Sequence, residues 1–368
     1  MTVNKSKDRA QSTIWQLPAN FPLDDLTEVA ALLEAADILV PGYGVPDVGM
    51  YHPAGHLYAN SQGVTTWILP DRNVASRIAQ LAKGRETAGD RQLSLCAGLL
   101  GFAQVLDIQF EASVSYHELA HNLGNEVAQE EHGWFRAADE APFQDMLNVA
   151  LGRSNGVSRS YTPQVVAIKD MARPISRWNR NYIVALKILE LDLGAERAVD
   201  KALRLLDWMA DRLIFAGPAM MLASIYLGTH SPSRKKVFKN KGSANRASAI
   251  AGVKNAAWDI THLSDFVKRV NESHMDGSNQ YLFATFDTHL VKTARFLMHV
   301  GLEGTTSSVL AEGLSQWWGE RDAYVIADAI TAHLKRINAP GHEPRTSTDP
   351  EFIPKLIAEG ERRVIEAI

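Results

Sequence analysis

The sequence predicts an α/β protein with a mainly parallel sheet, a large helical insertion and a helical C-terminal region. Three observations carry this expectation. The run Val64–Leu69 is β-branched and apolar, stops at Pro70, and is followed at once by Asp71 and a segment able to turn helical. A strand ending in a carboxylate just ahead of a helix is how open α/β sheets place chemistry at the carboxyl edge of their strands. Tyr281–Thr285, followed by Phe286 and Asp287, repeats the pattern much later in the chain. Between them, apolar residues at helical spacing dominate 165–227.

Taken in order, residues 1–22 form a polar lead-in in which Ile14 and Trp15 are apolar enough to dock. Leu26, Val29, Leu32 and Leu33 predict a helix over 23–36, and Ile38–Val40 a short strand ended by Pro41-Gly42. Residues 43–63, rich in Gly, Pro and His, read as a loop or a ragged hairpin. After the strand at 64–69 comes a helix from Asn73 to about Lys83. Helical periodicity runs over 93–129, with Gly98 and Gly101 marking a kink or a split, and 133–145 reads as a turn region. The organisation expected is a first core segment over 23–130, a mostly helical insertion over 131–250, a second core segment over 251–300 and a helical region over 301–368. Within them, Ala256–Val270 reads as a helix opened by Asp259, and 339–354 as a Pro-rich linker.

The 368 residues suffice for two domains or for one with a large insertion. A formal net charge of −4 neither requires nor excludes nucleic acid, because local patches outweigh totals. Cys96 is the single cysteine, so no internal disulfide can form and a cysteine-based zinc site is not expected. The N-terminus lacks an apolar core of the secretory kind. The longest apolar stretch, Leu213–Leu227, is interrupted by Gly217, Pro218 and Ser224 and is too short to span a bilayer. A cytoplasmic protein with no membrane partner is therefore expected. Neither a Walker-type nor a dinucleotide glycine spacing occurs.

Four acids stand at informative places: Asp71 and Asp287 after strands, Glu118 within a helix, and Asp259 beside Ile260 and Leu263. Singly, a strand-end Asp is more often a turn or capping residue. Together, two strand-end aspartates can lie side by side if their strands are neighbours, and helix-borne acids can complete a cluster. Crowded carboxylates repel one another, which a hard cation such as Mg²⁺ relieves. Such a cluster can activate water and stabilise a phosphoryl transition state. Arg234, Lys235, Lys236, Lys239, Lys241 and Arg246 occur with no acid among them. They read either as a solvated loop or as contacts to a phosphate backbone. His262 and His289 follow Asp259 and Asp287 closely enough to assist proton transfer or to touch a phosphate.

The order of these acids resembles the PIN-like ribonuclease family. Asp71-Arg72-Asn73-Val74 is similar to the family's Asp-x-Asn strand ending. Ser113-Val114-Ser115-Tyr116-His117-Glu118-Leu119 is similar to its helical Glu, Trp258-Asp259-Ile260 to its third acid, and Ala284-Thr285-Phe286-Asp287 to its Thr-x-Asp ending. The match spans 64–124 and 256–296, under a third of the chain. It implies a three-layer α/β/α core and Mg²⁺- or Mn²⁺-dependent hydrolysis of RNA. Asp71, Glu118, Asp259 and Asp287 would hold the ions, supported through hydrogen bonds by Asn73 and Thr285. Relatives of this kind are often toxins or defence effectors restrained by a protein partner, which the resemblance also implies. For the third acid, Asp265 and Asp328 are alternatives to Asp259.

The same helix carries His117-Glu118-Leu119-Ala120-His121, an HExxH sequence. In zinc hydrolases the two histidines, one turn apart, bind Zn²⁺ and the Glu acts as general base. A third ligand would have to come from His132, Glu140 or another acid. A zinc-dependent peptidase and a non-catalytic interaction protein are thus the competing readings.

Overall fold

The computed structural model describes residues 17–43, 49–167, 170–173, 175–232, 236–341 and 349–367. Ile14, Trp15, Arg234 and Lys235 lie outside them.

The chain opens with α1 (Leu23–Ala36), which buries Leu26, Val29 and Leu33 and ends where Asp37 turns left-handed at φ 54°. After β1 (Leu39–Pro41) comes a helix that the composition of 43–63 concealed, α2 (Pro53–Ser61). Its start is set by Pro53 in the first turn and by His52, whose ring nitrogen accepts the Ala54 N–H at 3.2 Å. Next are β2 (Thr65–Pro70), α3 (Arg72–Ala82) and α4 (Arg91–Val105). Gly98 and Gly101 do not break α4. They bring it close to its neighbours: a Cβ on Gly101 would meet the Leu147 side chain at 2.9 Å, and one on Gly98 would meet Val29 at 3.2 Å. The interruption falls later, at β3 (Gln109–Phe110), which precedes α5 (Ser113–Leu123). Residues 133–145 are mostly helical rather than a turn: α6 (Asn125–Asp139) runs through Gly133, and α7 (Phe143–Ala150) starts behind Pro142.

Three helices then follow, α8 (Ser176–Leu193), α9 (Ala198–Arg212) and α10 (Gly217–Leu227). α11 (Arg246–Asp276) has 31 residues, twice the expected length, so Asp259 sits in mid-helix rather than opening it. β4 (Asn279–Ala284), α12 (Thr288–Glu303), α13 (Ser307–Leu314), α14 (Glu320–Ile337) and α15 (Phe352–Glu366) complete the chain.

The protein is thus α/β and mostly helical, around a four-stranded mixed sheet of order β1-β4-β2-β3. β2 runs parallel to both β4 and β3, while β1 is antiparallel to β4. Alternation along the strands sends neighbouring side chains to opposite faces. Leu39, Ile68 and Leu282 enter one apolar cluster with α1, α3, α4, α6 and α7. Val40, Leu69 and Phe283 enter a second, with α8 to α15. The helices of 131–250 are therefore shared between the clusters on the two faces, and α8 packs along α11 and α15. No helix among the described residues is long and apolar enough to cross a membrane.

Candidate active site

Because β2 and β4 are direct neighbours with Pro70 opposite Ala284, the residues that follow them emerge side by side. The Asp71 N–H donates to the Ala284 carbonyl at 2.8 Å, and the sheet ends there. Asp71 caps α3: one oxygen accepts the Asn73 N–H at 3.0 Å. Its other oxygen accepts the Asn73 amide at 2.6 Å and the Thr285 hydroxyl at 2.5 Å. Asn73 also accepts the Phe286 N–H, and the Thr285 hydroxyl accepts the Asp287 N–H at 3.0 Å. Asn73 and Thr285 thus lace the two strand ends together. Asp287 caps α12 through Oδ1, which accepts from His289 and Leu290. Its Oδ2 makes no hydrogen bond to a described residue.

The two helix-borne acids face the strand ends from α5 and α11. Glu118 Oε2 lies 3.0 Å from His262 Nε2, and His262 is only 5% exposed. Asp259 makes no hydrogen bond or ion pair with any described residue. Together with Asp287, His289, Thr293, Val237 and apolar residues of α10, it lines a narrow crevice of about 270 Å³, open mouth included.

Electrostatics tie the four acids together. Burial raises the Asp259 carboxyl well above its usual range, and the charges of Asp71, Asp287 and Glu118 all push the same way, against Lys239. The Asp71 carboxyl is raised too, by burial and the Glu118 charge, with His262, Thr285 and Asn73 opposing. Burial pulls the His262 imidazole down, but Glu118, Asp71 and Asp265 outweigh it and hold it above its ordinary value.

As they stand, no three His, Cys, Asp or Glu side chains among the described residues are placed to hold one metal ion. The donor chemistry nonetheless suits a hard divalent cation. Both Asp259 oxygens, Asp287 Oδ2 and Glu118 Oε1 are carboxylate oxygens without a hydrogen-bond partner among the described residues, the hard donors that such an ion takes.

The other candidates are engaged elsewhere. Asp265 is held by Arg177 and Arg269, both at 2.7 Å, and Asp328 lies on the exposed side of α14. In the HExxH segment each side chain has a different partner. His117 meets the Met171 carbonyl at 2.9 Å, Glu118 meets His262, and the His121 ring packs on Trp178 at 4.4 Å. His132 stacks on Tyr116, and Glu140 pairs with Arg136.

Of the basic segment, Lys241 is drawn into the fold by Asp192 at 2.6 Å and the Tyr226 hydroxyl at 3.1 Å. Arg246 donates to the Val364, Lys241 and Ser243 carbonyls. Both thus have partners within the fold, which engage donors that they would otherwise offer to a phosphate backbone. Lys236 and Lys239 are exposed, with Lys239 acting on Asp259 and Lys236 on His289.

Sequence reasoning missed the Glu118–His262 pair and the approach of Lys239 to Asp259. The first had one signal, the i, i+3 spacing of Asp259 and His262, which puts both on neighbouring parts of one helix face. The second had none, since 20 positions separate the partners. The chain matches no family model, no curated protein and no solved structure.

Proposed function

We propose that the chain is a Mg²⁺- or Mn²⁺-dependent nuclease with a PIN-like, three-layer α/β/α core, hydrolysing phosphodiester bonds. One observation carries this reading: Asp259, an acid with no hydrogen bond or ion pair to a described residue, sits where the charges of Asp71, Glu118 and Asp287 all reach it. Acids whose charges act on one another in a buried setting are costly to a fold unless cations balance them. RNA as substrate, and a toxin or defence role under a restraining protein partner, follow from the family resemblance.

Asp259, Asp287, Glu118 and Asp71 would hold the ion, which when bound supplies Lewis-acid polarisation of the phosphoryl group and a nucleophile at neutral pH. The chain's own part is positional. Asn73 and Thr285 fix Asp71, the cap of α12 fixes Asp287, and α11 presents Asp259 to the crevice. Lys236 and Lys239, exposed on either side of Val237 of that crevice and acting on His289 and Asp259, would take the phosphate backbone.

RNA cleavage with Mn²⁺ supplied tests the reading. Asp71→Asn, Asp259→Asn and Asp287→Asn are each expected to lower the rate by roughly a hundredfold or more. Wild-type rates in all three would reject the site.

A further inference from the structure

Three helices remote from the acids in sequence order leave a hollow between them. Val29 and Leu33 of α1, Leu95 and Gly98 of α4, and Ala150 at the end of α7 line it, with Arg91 and Ser94 at the start of α4 as its polar residues. The free space inside is about 110 Å³, within a recess of about 380 Å³ that includes the open mouth. Gly98 helps to keep that space clear, since a Cβ there would reach 3.2 Å from Val29 and 3.4 Å from Ala150. Apolar walls offer water few partners, and a void of about 150 Å³ lined by Leu, Ile and Phe stays dry and takes up benzene. On that scale this hollow suits an apolar body of about four or five carbons.

Charge selects the other end of the ligand. Arg91 is exposed and makes no hydrogen bond or ion pair with a described residue. The acids on neighbouring turns are engaged. Asp90 caps α4 by accepting the Leu93 N–H and pairs with Arg85. Asp25 of α1 holds Arg153 through both oxygens, and Glu28 also acts on Arg153. The first turn of α4 adds the positive field of a helix N-terminus. The Ser94 hydroxyl has only a long bond, 3.5 Å, to the Asp90 carbonyl, so it is free to turn to a ligand.

We propose that this hollow binds a small anionic amphiphile, a short-chain carboxylate whose tail fills the space between α1, α4 and α7 and whose head group meets Arg91 and Ser94 at the mouth. A cationic head would be repelled there, and a neutral one would forgo the ion pair. The hollow shares no residue with the four acids or with their crevice, so the inference does not depend on the nuclease reading.

Titration of the full chain with straight-chain carboxylates from propanoate to octanoate, followed through the methyl resonances of Val29, Leu33 and Leu95, tests it. Affinity should rise about two- to fourfold per methylene and level off at pentanoate or hexanoate, where the space is filled. Hexanol should bind about two- to fivefold more weakly than hexanoate, the modest worth of an exposed ion pair. Arg91→Gln, a change on an exposed residue that leaves the core untouched, should erase that preference. Gly98→Ala should move the levelling point to a shorter chain. The proposal is overturned if hexanoate gives no saturable shift of these methyl groups, or if affinity still climbs through octanoate. A preference for carboxylate that survives in Arg91→Gln overturns it too, as does an unchanged chain-length profile in a folded Gly98→Ala chain. Should Gly98→Ala not fold, the wild-type series and Arg91→Gln decide the matter.

Discussion

Asp259 brings a carboxyl into a place where burial and three other acids oppose its ionisation, and it has no compensating ion pair among the described residues. Replacing it with a group that does not ionise should help the metal-free fold while harming function. Asp259→Asn is expected to stabilise the metal-free protein by about 0.5–2 kcal/mol, read as a higher thermal midpoint, and to abolish the rise in midpoint on adding Mn²⁺. Asp265, six residues on, has the opposite character. Burial works to raise its carboxyl, but Arg269 and Arg177 outweigh burial and hold it below the usual range. A depressed folded value means that the stabilisation is fully present above the unfolded carboxylate range and is lost as pH falls through the folded value. Asp265→Asn should therefore cost about 1.5–3 kcal/mol near neutral pH, the order expected of hydrogen bonds to a charged group. The gap between mutant and wild type should close as pH falls below about 3.9. Urea unfolding across that range checks both the size and the sign. Sequence alone left Asp259, Asp265 and Asp328 open as third acids. What separates them is whom each one meets, and a carboxylate's neighbours are not written in its local sequence.

At the scale of the element, local signals were legible wherever one pattern ruled. The apolar spacing of α1 gave its limits, and the β2-to-α3 and β4-to-α12 junctions followed from Pro70-Asp71 and Phe286-Asp287. α2 was hidden because nine residues with two alanines, a serine and a Gly carry little periodicity, and its cap is an uncommon one. α11 was underestimated because its first two turns pack against the basic segment rather than the sheet. Gly252 is the clearest trace of that contact: a Cβ there would lie 2.0 Å from the Lys239 carbonyl oxygen. In an open helix Gly→Ala would gain about 1 kcal/mol. Here Gly252→Ala is expected to destabilise by about 1–3 kcal/mol, because backbone on one side and helix on the other leave nowhere to yield. Denaturant unfolding reads the sign directly, and a stabilised Gly252→Ala chain would show that the segment is not docked on α11.

At the scale of the molecule, the sheet belongs to both apolar clusters, so neither can melt without exposing its strands. Phe283, wholly buried on β4, anchors the sheet in the second of these clusters. Phe283→Ala is expected to cost about 3–5 kcal/mol. It should leave one unfolding transition, with coincident fluorescence and far-ultraviolet dichroism, rather than releasing one cluster ahead of the other. The surface around the crevice has its own test. Replacing Lys236 and Lys239 with Glu should weaken RNA binding and flatten its salt dependence by about 0.7 per lysine lost in a plot of log affinity against log salt. An unchanged slope would remove these lysines from the interface.

The sequence by itself determined the α/β class, the two strand-then-acid junctions, most of the helices and the set of acids worth watching, because those depend on periodicity, proline breaks and residue type over a few turns. Tertiary structure alone decided that β4 lies between β1 and β2, which brings the endings of strands more than 200 residues apart to one edge. It also set Asp259 apart from its competitors, joined His262 to Glu118, and took Lys241 and Arg246 into the fold while leaving Lys236 and Lys239 exposed. The physical reason is the same in each case. Burial, hydrogen bonding and charge depend on distance in space, and at these positions the partners are remote in the chain.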